Sequence, residues 1–514
     1  MVSCFFGFHS TLPSAAPFLP RMATVALLLA GSLAAAADHA TFQLHAAALR
    51  PDGAPIPPRF VGLSIEVSAA PQVFLTGGLG GPPRPSFTAL MRALAAAGGG
   101  AGGASVRVGG NSADESAWVP TGALPPNTTY RITAADLASY NAAVPLFNGS
   151  VILDTTLRYA DSSALAAAHA AAAAAALGPL LEHVEIGNEP DLFYKNGFRP
   201  KTFSYSDYKS EYGAAAAAVV AAVPGRRLQG ATWCTNNWSA NFADYMAAFG
   251  KFMSSVSLHR YAGTACNGGK ATIAELMADK AAAGEAANVA PAVATAAAHG
   301  VPLYIGEGNS VSCGGTTGVS DVWAAAVWAV DVLFNMAAVG VSRWNFHGMP
   351  KGPYATAVWN DVSADSVEVR PLFYGMLVFT AAASGGAVLQ TVTTVASSNP
   401  FIKCWAVRTA AGEWRAVVLH KDPAAASGAN ATITIAPPAR LAGDATLLRA
   451  LPGPAGLSSK ATDPISWRGL SYATTSDGNP AGTPTSERVA ANGAGQFVFE
   501  LPPASMAVLT LPQN

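Results

Sequence analysis

The chain has 514 residues, 51% of them hydrophobic, and its 30 Lys and Arg nearly balance 31 Asp and Glu, for a formal charge of -1. Much of the apolar fraction is alanine, so the positive mean hydropathy of +0.28 does not argue for a membrane protein. The absence of a basic stripe or a long charge run gives no support to nucleic-acid or polybasic membrane binding.

The chain begins with what reads as a targeting segment over residues 1–37, with translation starting at Met1 or Met22. Arg21 precedes an apolar stretch, Ala23 to Ala37, that ends in small residues. It is short for a membrane span, which needs about 20 residues, and suits a signal-peptide core. The secretory route, leading outside the cell or to a vacuolar or lysosomal compartment, is therefore expected, without stable membrane insertion. Four sequons agree with it, at Asn127, Asn148, Asn237 and Asn430. Beyond Cys4 the chain keeps Cys234, Cys266, Cys313 and Cys404, which allow three full pairings among which the sequence does not choose. C-x-x-C does not occur, which disfavours a zinc ribbon or a thioredoxin-like site.

Next comes ATFQLHAA at 40–47, a strand-like piece within a short N-terminal region, 38–55. Eight apolar, β-branched runs follow: 60–67, 104–109, 150–156, 183–189, 228–233, 256–261, 301–307 and 341–347. Alanine-rich helical stretches separate them, and alanine is the best helix former. Eight strand–helix alternations over 56–383 predict an α/β chain with a closed (β/α)8 barrel. A doubly wound sheet is disfavoured, because G-x-G-x-x-G does not follow the first strand. After Ala383 the texture changes to short alternating segments separated by Gly, Pro, Ser and Asn. Residues 384–514 are expected to form an antiparallel β-sandwich that also takes the strand at 40–47.

In barrels of this kind, reacting groups sit at the C-terminal ends of the strands. The fourth run ends at Glu189, inside Asn188-Glu189-Pro190, and the seventh ends at Glu307. Strands four and seven face each other across the barrel mouth. Two carboxylates so placed are what double-displacement glycoside chemistry needs, one to protonate the leaving oxygen and one to attack the anomeric carbon. Glu66, Asn111 and Asp114 lie near the same mouth. His259 and His347 also fall at strand ends, where each reads equally as a satisfied core histidine. Neither is spaced like a metal ligand, H-E-x-x-H and the G-x-S-x-G elbow are absent, and no metal or other cofactor is expected.

The pieces SVRVGGNSADESAW (105–118), VEIGNEPDLF (184–193), SLHRYAG (257–263) and YIGEGNSVSCGG (304–315) resemble glycoside hydrolase family seventy-nine, the β-glucuronidases and heparanases of the retaining (β/α)8 clan. By that resemblance Glu189 is the acid/base and Glu307 the nucleophile. Asn188 binds the sugar's 2-hydroxyl, Tyr261 supports Glu307, and Glu66, Asn111 and Asp114 grip other hydroxyls. The sugar carboxylate falls to Gly314, Gly315 and Tyr354. Ser312 and Cys313 depart from the family pattern, where a tyrosine and a glycine are expected. The implied activity is release of terminal β-linked glucuronate or 4-O-methyl-glucuronate from a polysaccharide or proteoglycan. An endo-acting, heparanase-like enzyme needs basic rims, which a chain with 12% charged residues and no basic cluster does not offer. A non-catalytic glycan-binding wall protein would not need to keep both acids.

Overall fold

A computed structural model describes residues 37–100, 103–225, 227–424 and 429–513. The targeting segment, apart from Ala37, lies outside them. Eight parallel strands close into a barrel: Val61–Glu66, Ser105–Gly109, Ser150–Thr155, Leu181–Ile186, Leu228–Trp233, Met253–Thr264, Leu303–Ser312 and Arg343–His347. Each pairs with its sequence neighbour, and the eighth returns to the first through Trp344 opposite Val61. Whole strands are buried on both faces, because helices cover the outside while side chains fill the inside. The sixth and seventh strands run longer than the rest and stay paired as far as Thr264 and Ser312.

The helices follow local signals. Tyr205–Ala222 opens on a capping box in which Ser204 and Asp207 satisfy each other's backbone N–H groups. The alanine-rich segment Ser162–Leu180 has the length and hydropathy of a membrane span. In this fold it packs along Tyr205–Ala222 on the outside of the barrel. Trp323–Ala338 and Pro371–Ala382 are apolar on nearly every face and almost wholly buried, since barrel and sheet domain cover them from opposite sides.

The C-terminal region builds a twelve-stranded, largely antiparallel sheet system. The N-terminal strand His39–Ala48 enters it, antiparallel to Val388–Ser397 and parallel to Ala431–Ala436. Its own apolar core gathers Phe42, Ile402, Val418, Ile433, Phe497 and Leu509. The sequence reading passes over several C-terminal strands, the longest being Ala445–Leu451, which pairs with Met506–Thr510. Its alanine and leucine content favours helix, and sheet pairing overrides that weak preference. Polar contacts tie sheet to barrel. Lys421 donates to Asp331 at 2.8 Å, both about 2% exposed, and Trp323 Nε1 donates to the Ala504 carbonyl at 2.7 Å.

Candidate active site

The fourth barrel strand ends at Ile186, and the chain then turns so that Glu189 stands at the mouth. Glu189 adopts a left-handed backbone, φ 52° and ψ 53°, a conformation non-glycine residues hold only when their surroundings fix it. Its N–H donates to the Thr232 carbonyl at 3.2 Å, and Pro190 starts a short 3-10 turn immediately after it. The side chain is 1% exposed, and its Oε1 lies 3.0 Å from His259 Nδ1. Burial, reinforced by Glu307 and Asp191, holds its pKa well above the usual carboxylate value. The same surroundings favour the protonated form of Glu189 over its anion.

Glu307 lies within the seventh strand, where the pairing register slips against both neighbouring strands between Ile305 and the residues after it. Bulges of this kind re-aim side chains. The flanking glycines are required by close packing. A Cβ at Gly306 would strike Ser257 Oγ, and one at Gly308 would come within 2.6 Å of the Trp344 ring. Tyr261 donates to Glu307 Oε1 at 2.7 Å, and Arg107 Nη1 donates to Oε2 at 2.8 Å. His347 Nδ1 lies 3.5 Å from the same oxygen. Burial works against the carboxylate, but His347, His259, Arg107 and Tyr261 outweigh it and hold the pKa at about 2. Burial drives His259 itself down to about 3, so it is neutral near pH 7, and the fixed positive charge beside Glu307 is the Arg107 guanidinium. His347 resists its own burial and stays above its ordinary value through Glu307 and Glu66.

Arg107 underlies the whole arrangement, and sequence reasoning assigns it no role beyond its place in the motif. The guanidinium is fully buried on the second strand and donates to Ser64, Asp154, Glu185, Asn188 and Glu307. Burial pushes Asp154 and Glu185 upward while Glu307 stays low. The histidines also gain a place that the sequence left open, His259 beside Glu189 and His347 between Glu66 and Glu307.

The remaining expected residues converge on the same mouth in different capacities. Asn188 Oδ1 accepts from Arg107 at 3.0 Å, while Nδ2 donates to Asn111 Oδ1 at 3.2 Å. Glu66 accepts from the backbone N–H groups of Asn111 and Ser112, and remains partly exposed to the cleft. Asp114 is 1% exposed; its Oδ1 accepts from Thr156 and Leu157, and its Oδ2 from the Asn188 N–H at 2.7 Å. That geometry makes it a support for Asn188 and leaves it no open side for a sugar hydroxyl. Gly314 and Gly315 adopt φ of 89° and 86°, and a Cβ on Gly315 would lie 2.7 Å from the Tyr354 N–H nitrogen. Tyr354 in turn meets His347 edge-on, with ring centroids 5.8 Å apart. Cys313 is bonded to Cys266 and Cys404 is a free thiol, so the four cysteines do not form two bridges among themselves. Asn127, Asn148, Asn237 and Asn430 are all exposed.

Glu189, His259 and Glu307 each offer a ligand atom within 4.8 Å of the others. The two carboxyl groups are therefore close enough for one to attack a carbon whose leaving group the other protonates. The same donor set has the chemistry to hold a divalent cation such as zinc.

No protein-family model matches the sequence, and no curated protein matches it. Solved structures share the architecture. A 4-O-α-L-rhamnosyl-β-D-glucuronidase from Fusarium oxysporum, solved with Rha-GlcA, superposes with a TM-score of 0.74 at 19% identity, over 92% of this chain and 100% of that one. The GH51 arabinofuranosidase from Xanthomonas axonopodis pv. citri gives 0.61 at 13% identity, over 92% and 100%. The GH39 enzyme from the same organism gives 0.56 at 15% identity, over 95% and 100%. At these identities the likeness is one of fold, a (β/α)8 barrel with a β-sheet domain that these glycoside hydrolases share with the present chain.

Proposed function

We propose that the chain is a retaining glycoside hydrolase that releases terminal β-linked glucuronate or 4-O-methyl-glucuronate from glycans, working in the secretory route or outside the cell. The observation that carries the reading is a pair of neighbouring buried acids in opposite surroundings, Glu307 held by Arg107 and Tyr261 with its pKa lowered and Glu189 without such a cation with its pKa raised. Retaining enzymes keep their carboxyl groups about 5–5.5 Å apart, and ligand oxygens within 4.8 Å fit that spacing rather than the wider gap of inverting enzymes. A wall protein that only binds glycans has no use for such a split. The uronate part of the proposal draws on the resemblance to family seventy-nine and on the likeness to a glucuronidase fold.

In the first step a Glu307 oxygen bonds to the anomeric carbon as the glycosidic bond breaks, and the Glu189 proton passes to the departing oxygen. In the second, water attacks that carbon and gives its proton to Glu189, and the ester to Glu307 breaks. Asn188, fixed by Arg107 and Asn111, presents its remaining amide hydrogen to the 2-hydroxyl. Glu66 and Asn111 take other hydroxyls. The loop glycines and Tyr354 face the sugar's C5 carboxylate, whose absence in a neutral sugar leaves polar groups unpaired at about 1–3 kcal/mol each.

Aryl β-glucuronide should be hydrolysed in preference to aryl β-glucoside, galactoside and xyloside, and Tyr354→Phe should narrow the preference. Equal rates on glucuronide and glucoside would overturn the uronate assignment. A 2-deoxy-2-fluoro glycosyl fluoride should label Glu307, and the first-formed product anomer should retain its configuration. An inverted first product would remove the double-displacement mechanism altogether.

A further inference from the structure

The long sixth and seventh strands rise past the level of the catalytic pair as a two-stranded ribbon. Glu307 stands opposite His259, and the pairing continues through Asn309 with Tyr261 and Val311 with Gly263 to Ser312 with Thr264. At the tip Ser312 Oγ donates to Thr264 Oγ1 at 2.9 Å, the Ala265 N–H donates to the Ser312 carbonyl at 3.2 Å, and Cys266 is bonded to Cys313. Directly after this closure three successive residues take left-handed φ: Cys313 at 59°, Gly314 at 89° and Gly315 at 86°. Glycine enters that region freely, but a cysteine does not. Cys313 is exposed, so its side chain has no apolar packing of its own to hold it there.

The loop so placed leans on the loop after the eighth strand. Gly315 abuts Tyr354, and a Cβ on Gly352 would lie 3.4 Å from the Gly314 carbonyl. Successive amides in a tight turn form a concavity suited to an anion. Glu307, by contrast, is held by Arg107 and Tyr261, whose bonds to it do not run through the bridge.

We infer that the Cys266–Cys313 disulfide is a specificity-determining tether: it holds the Gly314–Gly315 turn against Tyr354 to receive the charged C5 substituent, independently of the catalytic pair. The inference rests on the uronate reading above. It places substrate selection in the ribbon tip and bond cleavage in the barrel rim.

The test compares the parent enzyme with Cys266→Ala/Cys313→Ala and with Cys266→Ala/Cys313→Gly, each assayed on aryl β-glucuronide and aryl β-glucoside. Both variants should lose about tenfold or more in the glucuronide-to-glucoside ratio of kcat/KM, mainly through a higher KM for the glucuronide. Turnover of the glucoside, which also reports that the barrel is folded, should stay within about twofold of the parent. A parent that prefers the glucuronide, with variants that keep its ratio or lose both activities equally, would overturn the tether alone. So would full preference in the Cys313→Gly variant, which would show that a left-handed backbone suffices without the bond. A parent without preference for the glucuronide would bring down the uronate reading and this inference together.

Discussion

At the scale of single residues, the site shifts the pKa values of two neighbouring carboxyl groups in opposite directions. Arg107 contributes to that as a fully buried cation that donates directly to Glu307. A lysine keeps the charge but loses the planar fork that spans Ser64, Asp154, Glu185, Asn188 and Glu307. Arg107→Lys should therefore lower kcat by about 10²-fold through misplacement of Glu307 and Asn188. It should also move the acid limb of the kcat/KM profile. Activity needs Glu307 ionised, so it rises as pH climbs through a pKa of about 2 and falls as pH climbs through the raised pKa of Glu189. A weaker cation lets the Glu307 pKa rise, which shifts the acid limb upward; an unmoved limb in a pH–rate series would deny Arg107 this part. The same shifts set a stability profile. Folded Glu307 binds its proton less tightly than the unfolded chain, so its contribution is present above the ordinary value of 4.5 and drains away as pH falls toward about 2. Glu189 acts in the opposite sense. Its contribution is present below the ordinary value and is lost as pH rises through its raised pKa, so Glu189→Gln should flatten the alkaline side of a thermal-unfolding series.

At the scale of elements, the seventh strand is where backbone shape becomes chemistry. A Cβ at Gly308 would meet Trp344 at 2.6 Å and the Arg260 carbonyl at 2.8 Å, so Gly308→Ala must push the strand away from its neighbours just after Glu307. The expected result is a loss of about 10²-fold in kcat with secondary structure intact by circular dichroism, since a displacement near 1 Å costs that much; a fully active variant would show that the bulge tolerates the shift. The eight strands were legible in the sequence because each is a short apolar, β-branched run with a helix-forming stretch after it. The place of Glu189 and Glu307 side by side at the mouth was legible because both stand at strand ends, where barrels put their chemistry. The Arg107 network was not, since its partners come from four strands and the loop after the fourth, and lie 43 to 200 residues away along the chain. The same holds for the Cys266–Cys313 bridge, which the spacing of four cysteines leaves open, and for Asp114, whose burial turns an expected sugar contact into a backbone support. Side-chain direction, not residue type, decides such roles.

At the scale of the whole molecule, the sheet domain acts as the cover of the barrel's apolar flank. Trp323–Ala338 and Pro371–Ala382 present almost no polar face, so removing the sheet would expose two helices built for burial. A chain truncated after residue 389 should therefore accumulate as insoluble protein, and a soluble, active fragment would show that the barrel covers this flank by itself. A point change probes the same boundary without deleting it. Lys421 reaches from the sheet domain to Asp331 on the barrel helix and also to Asp279, while Lys403 meets the same two acids at 3.3 and 2.6 Å. With Asp331 and Lys421 each about 2% exposed, the pair gains little from folding in net terms, yet breaking it leaves the buried ammonium only the largely exposed Asp279. Asp331→Asn should cost about 3–5 kcal/mol of stability for that reason, whereas Asp331→Leu combined with Lys421→Met should recover most of the loss by replacing a buried ion pair with apolar volume. Because this boundary lies on the flank of the barrel and the catalytic acids at its mouth, turnover at temperatures well below unfolding should be the same in both variants as in the parent. A single variant as stable as the parent in denaturant titration would mean that Lys403 and Asp279 carry the contact without Asp331.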